Sequence, residues 1–307
     1  MIDFSYRSSK AQLGFTLVEL LVGLSLGLFI ITVSLTYLVS SGRTFSSQTN
    51  DDVIQENARF ALELLTQQFR LAGLDPSAGV DDQLEVILTS RFCANNNSSV
   101  AEGGINDSGN ADGACTKDSS GGAFASDRFG FDYKVVAPTT TCGGQVITQT
   151  MLNNSDGTIS LASVFWIQDN PDRVGVRSLY CQTFDLENNQ TIGPGVPLID
   201  GIDAMQVQYG RDSNDDGLVD SYVNYTDLTN GVANASVATR NVSLVKLAML
   251  ISSGLSSTSN SAITGAVETQ EDTVYNLLDA ASFTVSDERV LRQIFSTTIL
   301  IPNALGE

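Results

Sequence analysis

The chain has 307 residues, a formal net charge of −19 and no histidine. A surface this acidic repels the phosphates of nucleic acids and anionic lipid headgroups, so we do not expect nucleic-acid binding. The lack of histidine excludes Ser-His-Asp and Cys-His catalytic arrangements and the usual zinc sites. Because the sequence also lacks a phosphate-binding loop and a dinucleotide-binding motif, we expect that the protein is not an enzyme.

The N-terminus combines a polar leader, residues 1–14, with an apolar segment, residues 15–39. At 1.5 Å per residue a helix over this segment reaches about 37 Å, enough to cross a bilayer with some tilt. Arg7 and Lys10 precede it, which predicts an N-terminus on the inside and a translocated remainder. Glu19 is the one charge within the apolar segment. A charge in hydrocarbon costs at least about 2.5 kcal/mol, so Glu19 is a candidate functional residue.

Residues 14–27 read GFTLVELLVGLSLG and resemble the prepilin motif of type IV pilins, minor pilins and type II secretion pseudopilins. The resemblance implies that a prepilin peptidase cuts after Gly14 and methylates Phe15, the new N-terminal residue. The apolar helix then stays attached to the mature protein. In a bundle of such helices, Glu19 of one subunit would meet the amino group of Phe15 on its neighbour. A subunit in the wrong register would leave one of these charges unpaired.

Residues 40–73 are predicted to continue the helix in amphipathic form, after a weakening at residues 40–42 that marks the membrane exit. Gly73 is the expected C-cap. Residues 55–73, QENARFALELLTQQFRLAG, resemble the segment that follows the membrane helix in PilW-type minor pilins. The apolar residues recur at spacings of three and four, so they share one face that we expect to pack on the following domain: Ile54, Ala58, Ala61, Leu65, Phe69 and Ala72.

The remainder, residues 74–307, predicts a β-rich globular domain, which makes the fold class α+β. Alternation and β-branched residues predict strands over 84–89, 129–136, 145–151, 159–168, 174–184, 203–209, 242–252 and 289–301. The strand over 242–252 is apolar on both faces and is expected to be central. Residues 93–128 and 253–270 are rich in small polar residues and are interpreted as surface loops. Residues 240–253 and 292–303 also resemble PilW-like proteins, which implies a pilin-like domain.

Four cysteines, Cys93, Cys115, Cys142 and Cys181, lie in the part that is predicted to be translocated into an oxidising compartment. Four cysteines allow three disulfide connectivities. We prefer Cys93–Cys115, which would close the polar loop, together with Cys142–Cys181 between neighbouring strands. A metal site and free buried thiols remain open as alternatives.

The segment 212–220 carries oxygen ligands with the spacing of the first part of a calcium loop: Asp212, Asn214, Asp216 and Asp220. Gly217 occupies the position of the sharp turn, but the bidentate Glu that completes an EF-hand is missing. Calcium is therefore a possible ligand, and no cofactor is certain. An acidic turn between two strands is the other interpretation, and the sequence leaves both open.

The resemblance implies a minor pilin of PilW type that primes or caps a type IV pilus. Its expected partners are other minor pilins, the major pilin, the prepilin peptidase and the inner membrane. We expect a single-pass inner-membrane protein with a periplasmic domain, which then moves into the pilus at the cell surface. A type II secretion pseudopilin and a pilus-tip adhesin that uses residues 93–128 are the alternatives.

Overall fold

The structure is a computed structural model that describes residues 16–76, 86–87, 115–119, 124–136, 138–148, 157–188, 190–214, 216–230, 242–253, 273–279, 283–285 and 290–304. The predicted leader, residues 1–14, and Phe15 lie outside the described residues. The chain divides into two compact units, Met1–Asn50 and Asp51–Glu307.

The first helix, α1 (Leu17–Phe69), is continuous. The helix does not break at residues 40–42, because one glycine destabilises a helix by only about 1 kcal/mol relative to alanine. The weakening and the membrane exit at this place stay predictions. Thr44 supports this region, since its hydroxyl donates to the Ser40 carbonyl oxygen at 3.1 Å. The hydrogen-bonded backbone therefore runs through the predicted membrane exit without a break.

The C-terminal part of α1 belongs to the second unit and buries one face. All six residues of the predicted apolar face are at most 2% exposed, which confirms it: Ile54, Ala58, Ala61, Leu65, Phe69 and Ala72. The helix ends at Phe69, and the amide of Ala72 donates to the Phe69 carbonyl at 3.1 Å in a tighter final turn. Gly73 then adopts a φ of +70°, as a C-terminal glycine does, and its amide donates to the Asp132 carbonyl at 2.8 Å.

The strands of the second unit form two four-stranded antiparallel sheets and two short hairpins. In chain order they are β1 (Phe129–Val136), β2 (Thr139–Thr140), β3 (Val146–Ile147), β4 (Thr158–Asp169), β5 (Arg177–Asp185), β6 (Gln190–Asp200), β7 (Ile202–Arg211), β8 (Ser221–Val223), β9 (Leu244–Ser252), β10 (Thr273–Tyr275), β11 (Phe283–Val285) and β12 (Arg292–Leu300). The first sheet has the order β1-β4-β5-β6, and the second has the order β12-β9-β7-β8. The hairpins are β2–β3 and β10–β11. A short helix, α2 (Tyr225–Thr229), follows β8, and a 3-10 turn (Pro302–Ala304) follows β12.

A single residue, Gly201, connects the two sheets between β6 and β7. Its φ is +81°, and a Cβ atom there would lie 2.7 Å from the Ser252 carbonyl oxygen. The amide of Gly201 donates to the Arg177 carbonyl at 2.8 Å, and its carbonyl accepts from the Ser252 amide at 2.7 Å. The junction is thus bonded to a strand of each sheet at a position that only glycine fills without strain.

The main hydrophobic core lies between the buried face of α1 and both sheets. Aromatic rings form its centre, since Phe69 of α1 stacks on Phe129 with ring centroids 4.7 Å apart. Phe129 in turn stacks on Phe165 of β4 at 5.2 Å. Ring stacking of this kind stabilises the fold by about 1 kcal/mol per pair, beyond the contribution of the buried area itself. The C-terminal part of α1 is therefore an integral part of the core of the second unit.

Most predicted strands are confirmed within one to three residues at each end, and β9 is central between β12 and β7 as expected. The prediction for 84–89 is wrong where it can be compared, because Val86 and Ile87 form a buried bend. The predicted strand over 145–151 shortens to Val146–Ile147, and residues 149–151 lie outside the described part. The interpretation of 93–128 as surface is also wrong in part, since Thr116 and Asp127 are at most 3% exposed.

Candidate assembly site

The apolar part of α1 is exposed along its length. Apart from Gly27, residues 16–49 are exposed, and the most apolar window of the helix has a mean hydropathy of 2.3 with none of it buried. By length and composition this helix is sufficient to cross a membrane. An apolar surface of this size is typical of membrane-spanning helices and of interaction sites, so α1 is compatible with a single-pass membrane anchor.

The hydroxyl groups within this apolar stretch are satisfied inside the helix. Ser25 donates to the Val22 carbonyl at 2.9 Å, and Thr32 donates to the Leu28 carbonyl at 2.8 Å. Ser34 and Thr36 bond carbonyls one turn earlier in the same way. Hydroxyls bonded to their own helix add little penalty in hydrocarbon, so they are compatible with a membrane span.

Thr16 and Glu19 form a capping box at the N-terminus of α1. The Glu19 carboxylate accepts from the Thr16 amide at 3.1 Å and from the Thr16 hydroxyl at 3.0 Å. The Glu19 amide donates to the Thr16 hydroxyl oxygen at 3.3 Å, which completes the reciprocal pattern. The Thr-x-x-Glu spacing is the signal for this cap, although the cap at Thr16 was not predicted. Glu19 therefore has local partners in the single chain.

Gly14 and Phe15, the predicted processing residues, lie outside the described residues. The ion pair between Glu19 and the amino group of Phe15 on a neighbour stays a prediction. The capping box places the Glu19 carboxylate at the start of the helix, where the helix dipole favours negative charge. This is the end of the helix at which that amino group would be exposed after cleavage.

A buried carboxylate that the sequence analysis missed fixes part of the predicted 93–128 loop to the second sheet. Asp127 accepts from the Ser119 amide and from the Val207 amide, both at 2.8 Å. Burial raises the pKa of Asp127 to about 7, and the nearby Asp118 and Asp279 act in the same direction. Asp118 accepts from the amides of Tyr225 and Thr226 at the start of α2. No sequence pattern marks these two residues, because they lie in a segment of small polar residues.

The disulfide between Cys142 and Cys181 joins the β2–β3 hairpin to β5, with Cα atoms 6.2 Å apart. This is the pairing preferred from the sequence. The hydroxyl of Thr183 lies 3.2 Å from the Cys142 sulfur. Cys115 is also disulfide-bonded and fully buried. Cys93, its preferred partner, lies outside the described residues.

The described residues of the acidic segment, 212–214 and 216–220, lie between β7 and β8. The Asp212 carboxylate accepts from the Gly217 amide at 2.7 Å and from the Asn214 amide at 3.2 Å. Asp216 accepts from the Leu218 amide, and Asp220 accepts from the Ser213 amide. Across the described residues, no group of three or more His, Cys, Asp or Glu side chains could hold a metal ion. The geometry is that of a hydrogen-bonded hairpin turn, and calcium binding stays a prediction.

A groove of about 910 Å³ in the second unit is lined by Phe60, Leu198 and Ser253, among others. The Oγ atom of Ser253 is buried and has no hydrogen-bond partner among the described residues. An ion pair between Arg173 and Asp200 contributes to its rim. Burial opposes ionisation of Asp200, but hydrogen bonds that it accepts from Ser178, Arg173 and Asn170, together with the positive charge of Arg173, lower its pKa. These groups suit apolar and hydrogen-bonding contacts with a partner.

The comparisons with known proteins concern the second unit. The family model described as type IV pilus-assembly protein W matches residues 164–303. No curated protein and no solved structure is significantly similar to the chain. The matched range begins within β4 and ends in the 3-10 turn after β12, so it includes the segments 242–252 and 292–303. Over residues 164–303 the chain is similar to type IV pilus-assembly protein W, and this similarity supports a role in the assembly of type IV pili.

Proposed function

We propose that the protein is a minor pilin of PilW type, a structural subunit that primes or caps a type IV pilus. It acts by helix packing and performs no catalysis. Its partners are other minor pilins, the major pilin and the prepilin peptidase. It is held in the inner membrane by α1, with the second unit in the periplasm, before it enters the pilus.

The exposed apolar part of α1 is the observation that carries this proposal. Residues 17–39 present an apolar surface that the described residues leave uncovered. The same helix continues into the core of the globular unit through Ile54, Leu65 and Phe69. A subunit of this construction can be anchored in a bilayer and can also pack its helix against other helices. The match to type IV pilus-assembly protein W supports the pilus as the destination.

Glu19 has two roles in this proposal, at different stages. In the single subunit its carboxylate caps α1 through Thr16. In the assembled bundle it compensates the amino group of Phe15 on the neighbouring subunit. A charge that is buried without its partner strongly destabilises an assembly. A subunit in a shifted register would leave such a charge, so the pair selects the correct register.

Three substitutions separate these roles. We expect Glu19→Ala to insert into the membrane but to be lost from purified pili. Glu19→Gln retains a side chain that can cap the helix but has no charge, so it should also be lost from pili. Thr16→Ala removes one side of the cap and keeps the charge, so it should be incorporated. The measurement is the amount of each variant in sheared pili relative to the membrane fraction.

Normal incorporation of Glu19→Gln would contradict the charge pairing, and loss of Thr16→Ala alone would assign the role to the cap. Processing is checked independently by the intact mass of the protein from pili. We expect a chain that lacks residues 1–14 and carries one methyl group on Phe15. An unprocessed or unmethylated chain in the pili would contradict this part of the proposal.

A type II secretion pseudopilin remains the second candidate, because the segment 14–27 resembles both classes. Deletion of the gene distinguishes them. Loss of surface pili with normal protein secretion supports the minor pilin, and the reverse result supports the pseudopilin. The adhesin alternative rests on the loop 93–128, of which residues 93–114 and 120–123 lie outside the described residues.

A further inference from the structure

The edge strand β12 has one side without a strand partner in the part of the chain that the structure describes. It pairs with β9 over all nine of its residues, from Arg292↔Ser252 to Leu300↔Leu244. It stands at the end of the sheet order β12-β9-β7-β8. A strand in this position presents backbone amide and carbonyl groups that can pair with another chain.

The register identifies the groups that point outward. The amide of Ile301 donates to the Ser243 carbonyl at 2.8 Å, and the amide of Ser253 donates to the Leu291 carbonyl at 3.1 Å. Backbone groups alternate in direction along an antiparallel strand. Residues 293, 295, 297 and 299 therefore bond toward β9, and residues 294, 296, 298 and 300 direct their backbone groups to the outer edge.

This edge lacks the features that usually block strand addition. From Gln293 to Leu300 the strand has no charge and no proline. Ile294 and Leu300 are 41% and 51% exposed. The edge strand β6 of the other sheet differs, since it contains Pro194 and Pro197 and has two register shifts against β5. Prolines and irregular pairing protect the edge at β6. The third long edge strand, β1, exchanges backbone hydrogen bonds with Gly73 and Leu74, so β12 differs from both.

A groove of about 500 Å³ adjoins β12 at Phe295. Its other wall is a stripe along α1 that includes Arg59, Leu62, Glu63, Thr66 and Arg70. The spacings of three and four place these residues on one side of the helix. Arg59 and Arg70 are exposed and take part in none of the ion pairs among the described residues. Glu63 is the one carboxylate among the lining residues, so the two arginines give the groove a net positive charge on a chain of net charge −19. This charge favours a partner with carboxylates.

We propose that β12 and this groove bind an extended, acidic segment of a different protein, which adds to the second sheet as a further strand. Its backbone pairs with the outward groups of residues 294, 296 and 298. Its apolar side chains contact Leu62 and Phe295, and its carboxylates reach Arg59 and Arg70. The main-chain hydrogen bonds supply affinity and the flanking arginines supply selectivity, as in other cases of strand addition. The site uses only the second unit and does not depend on the function of the apolar part of α1.

A display library of random nine-residue peptides tests the site even though the partner is unidentified. The full chain, in detergent micelles, is the target. We expect enriched peptides that alternate β-branched or apolar residues and carry Asp or Glu near their ends. Ser296→Pro removes an outward amide and leaves the β12–β9 bonds, so it should reduce retention of these peptides at least about tenfold. The matched control Ser296→Thr retains the amide and should bind as the wild type does.

Two further measurements make the result specific. Arg59→Glu combined with Arg70→Glu should reduce retention of acidic peptides about tenfold and should favour basic ones. Circular dichroism and thermal unfolding of each variant check the fold, and Thr298→Pro replaces Ser296→Pro if the latter unfolds. The proposal is wrong if no peptide is enriched or if the proline variants retain the peptides equally. Self-association of the full chain that Ser296→Pro abolishes would assign the edge to a second copy and would also overturn it.

Discussion

At the scale of single residues, Gly201 is the position where the absence of a side chain decides the geometry of the domain. Its φ of +81° and the 2.7 Å distance from an added Cβ atom to the Ser252 carbonyl oxygen act together. Gly144 separates the two effects, because its φ is +79° and nothing lies within 4 Å of the added Cβ. A comparison of alanine at the two positions therefore isolates the steric contribution of the sheet junction.

We expect Gly201→Ala to lower the free energy of unfolding by about 3 kcal/mol, since backbone strain and a steric clash add. Gly144→Ala should lower it by about 1 kcal/mol, from backbone strain alone. Denaturant unfolding of the full chain in detergent, followed by circular dichroism, measures both. Equal effects of the two substitutions would show that the strands adjust around the methyl group at position 201.

Asp127 predicts a pH dependence of stability. Its pKa is raised from 3.8 to about 7 in the folded chain, so the folded state binds a proton that the unfolded state has lost. The stabilisation from this proton is present below about pH 4 and is lost as the pH rises through about 7. At about 1.4 kcal/mol per pH unit, the loss amounts to at most about 4 kcal/mol.

Asp127→Asn cannot titrate, so the difference in unfolding free energy between wild type and variant should change across this pH range. The variant itself is expected to be less stable by about 1–3 kcal/mol at low pH, because its amide group cannot accept from both backbone amides. Urea unfolding between about pH 4 and pH 8 gives the comparison. Parallel pH profiles would contradict the raised pKa.

At the scale of elements, α1 and the strands show how far the sequence determines the fold. The buried face of α1 and the strand β9 were predictable, because apolar periodicity reports directly which side is covered. The strand β6 was not predicted, since Pro194, Gly195 and Pro197 are typical of loops. A sheet edge tolerates them, because the outward backbone groups need no partner within the sheet.

The candidate site was predictable in part for a similar reason. Glu19 stands out as a charge in an apolar run, so composition alone identifies it. The burial of Asp127 depends on contacts with Ser119 and Val207, and the second of these is 80 residues away. Contacts at that distance along the chain leave no periodic pattern in a single sequence. The place of β12 at the edge of its sheet, among the described strands, likewise depends on the order of strands.

The disulfide between Cys142 and Cys181 should stabilise the first sheet through its hairpin. The two residues are 39 positions apart, and the chain-entropy contribution for a loop of this size is about 4 kcal/mol. We expect Cys142→Ala combined with Cys181→Ala to lower the free energy of unfolding by about 2–4 kcal/mol. Addition of a reductant to the wild type should shift the denaturant midpoint at least as far, because it also reduces the disulfide of Cys115. A smaller shift in the double variant would indicate residual structure in its unfolded state.

At the scale of the whole molecule, the charge of −19 predicts a response to salt. Self-repulsion among like charges opposes the compact state and is screened at high ionic strength. Thermal unfolding in about 0.02 M and about 0.5 M sodium chloride should therefore show a Tm that rises by several degrees. A Tm that falls would indicate that the ion pairs, such as Arg292–Asp203, outweigh the repulsion.

The capping box at Thr16 and Glu19 has a consequence for the reversibility of assembly. In the single subunit the Glu19 carboxylate already accepts two hydrogen bonds from Thr16. Pairing with the amino group of a neighbouring subunit would therefore exchange these bonds for new ones. The net free energy of such an exchange is much smaller than that of either set of bonds taken alone. Glu19 would then discriminate between correct and shifted registers without holding the subunit irreversibly. A subunit could return to the bilayer with its carboxylate bonded again, which is the behaviour that a filament needs if it both extends and retracts.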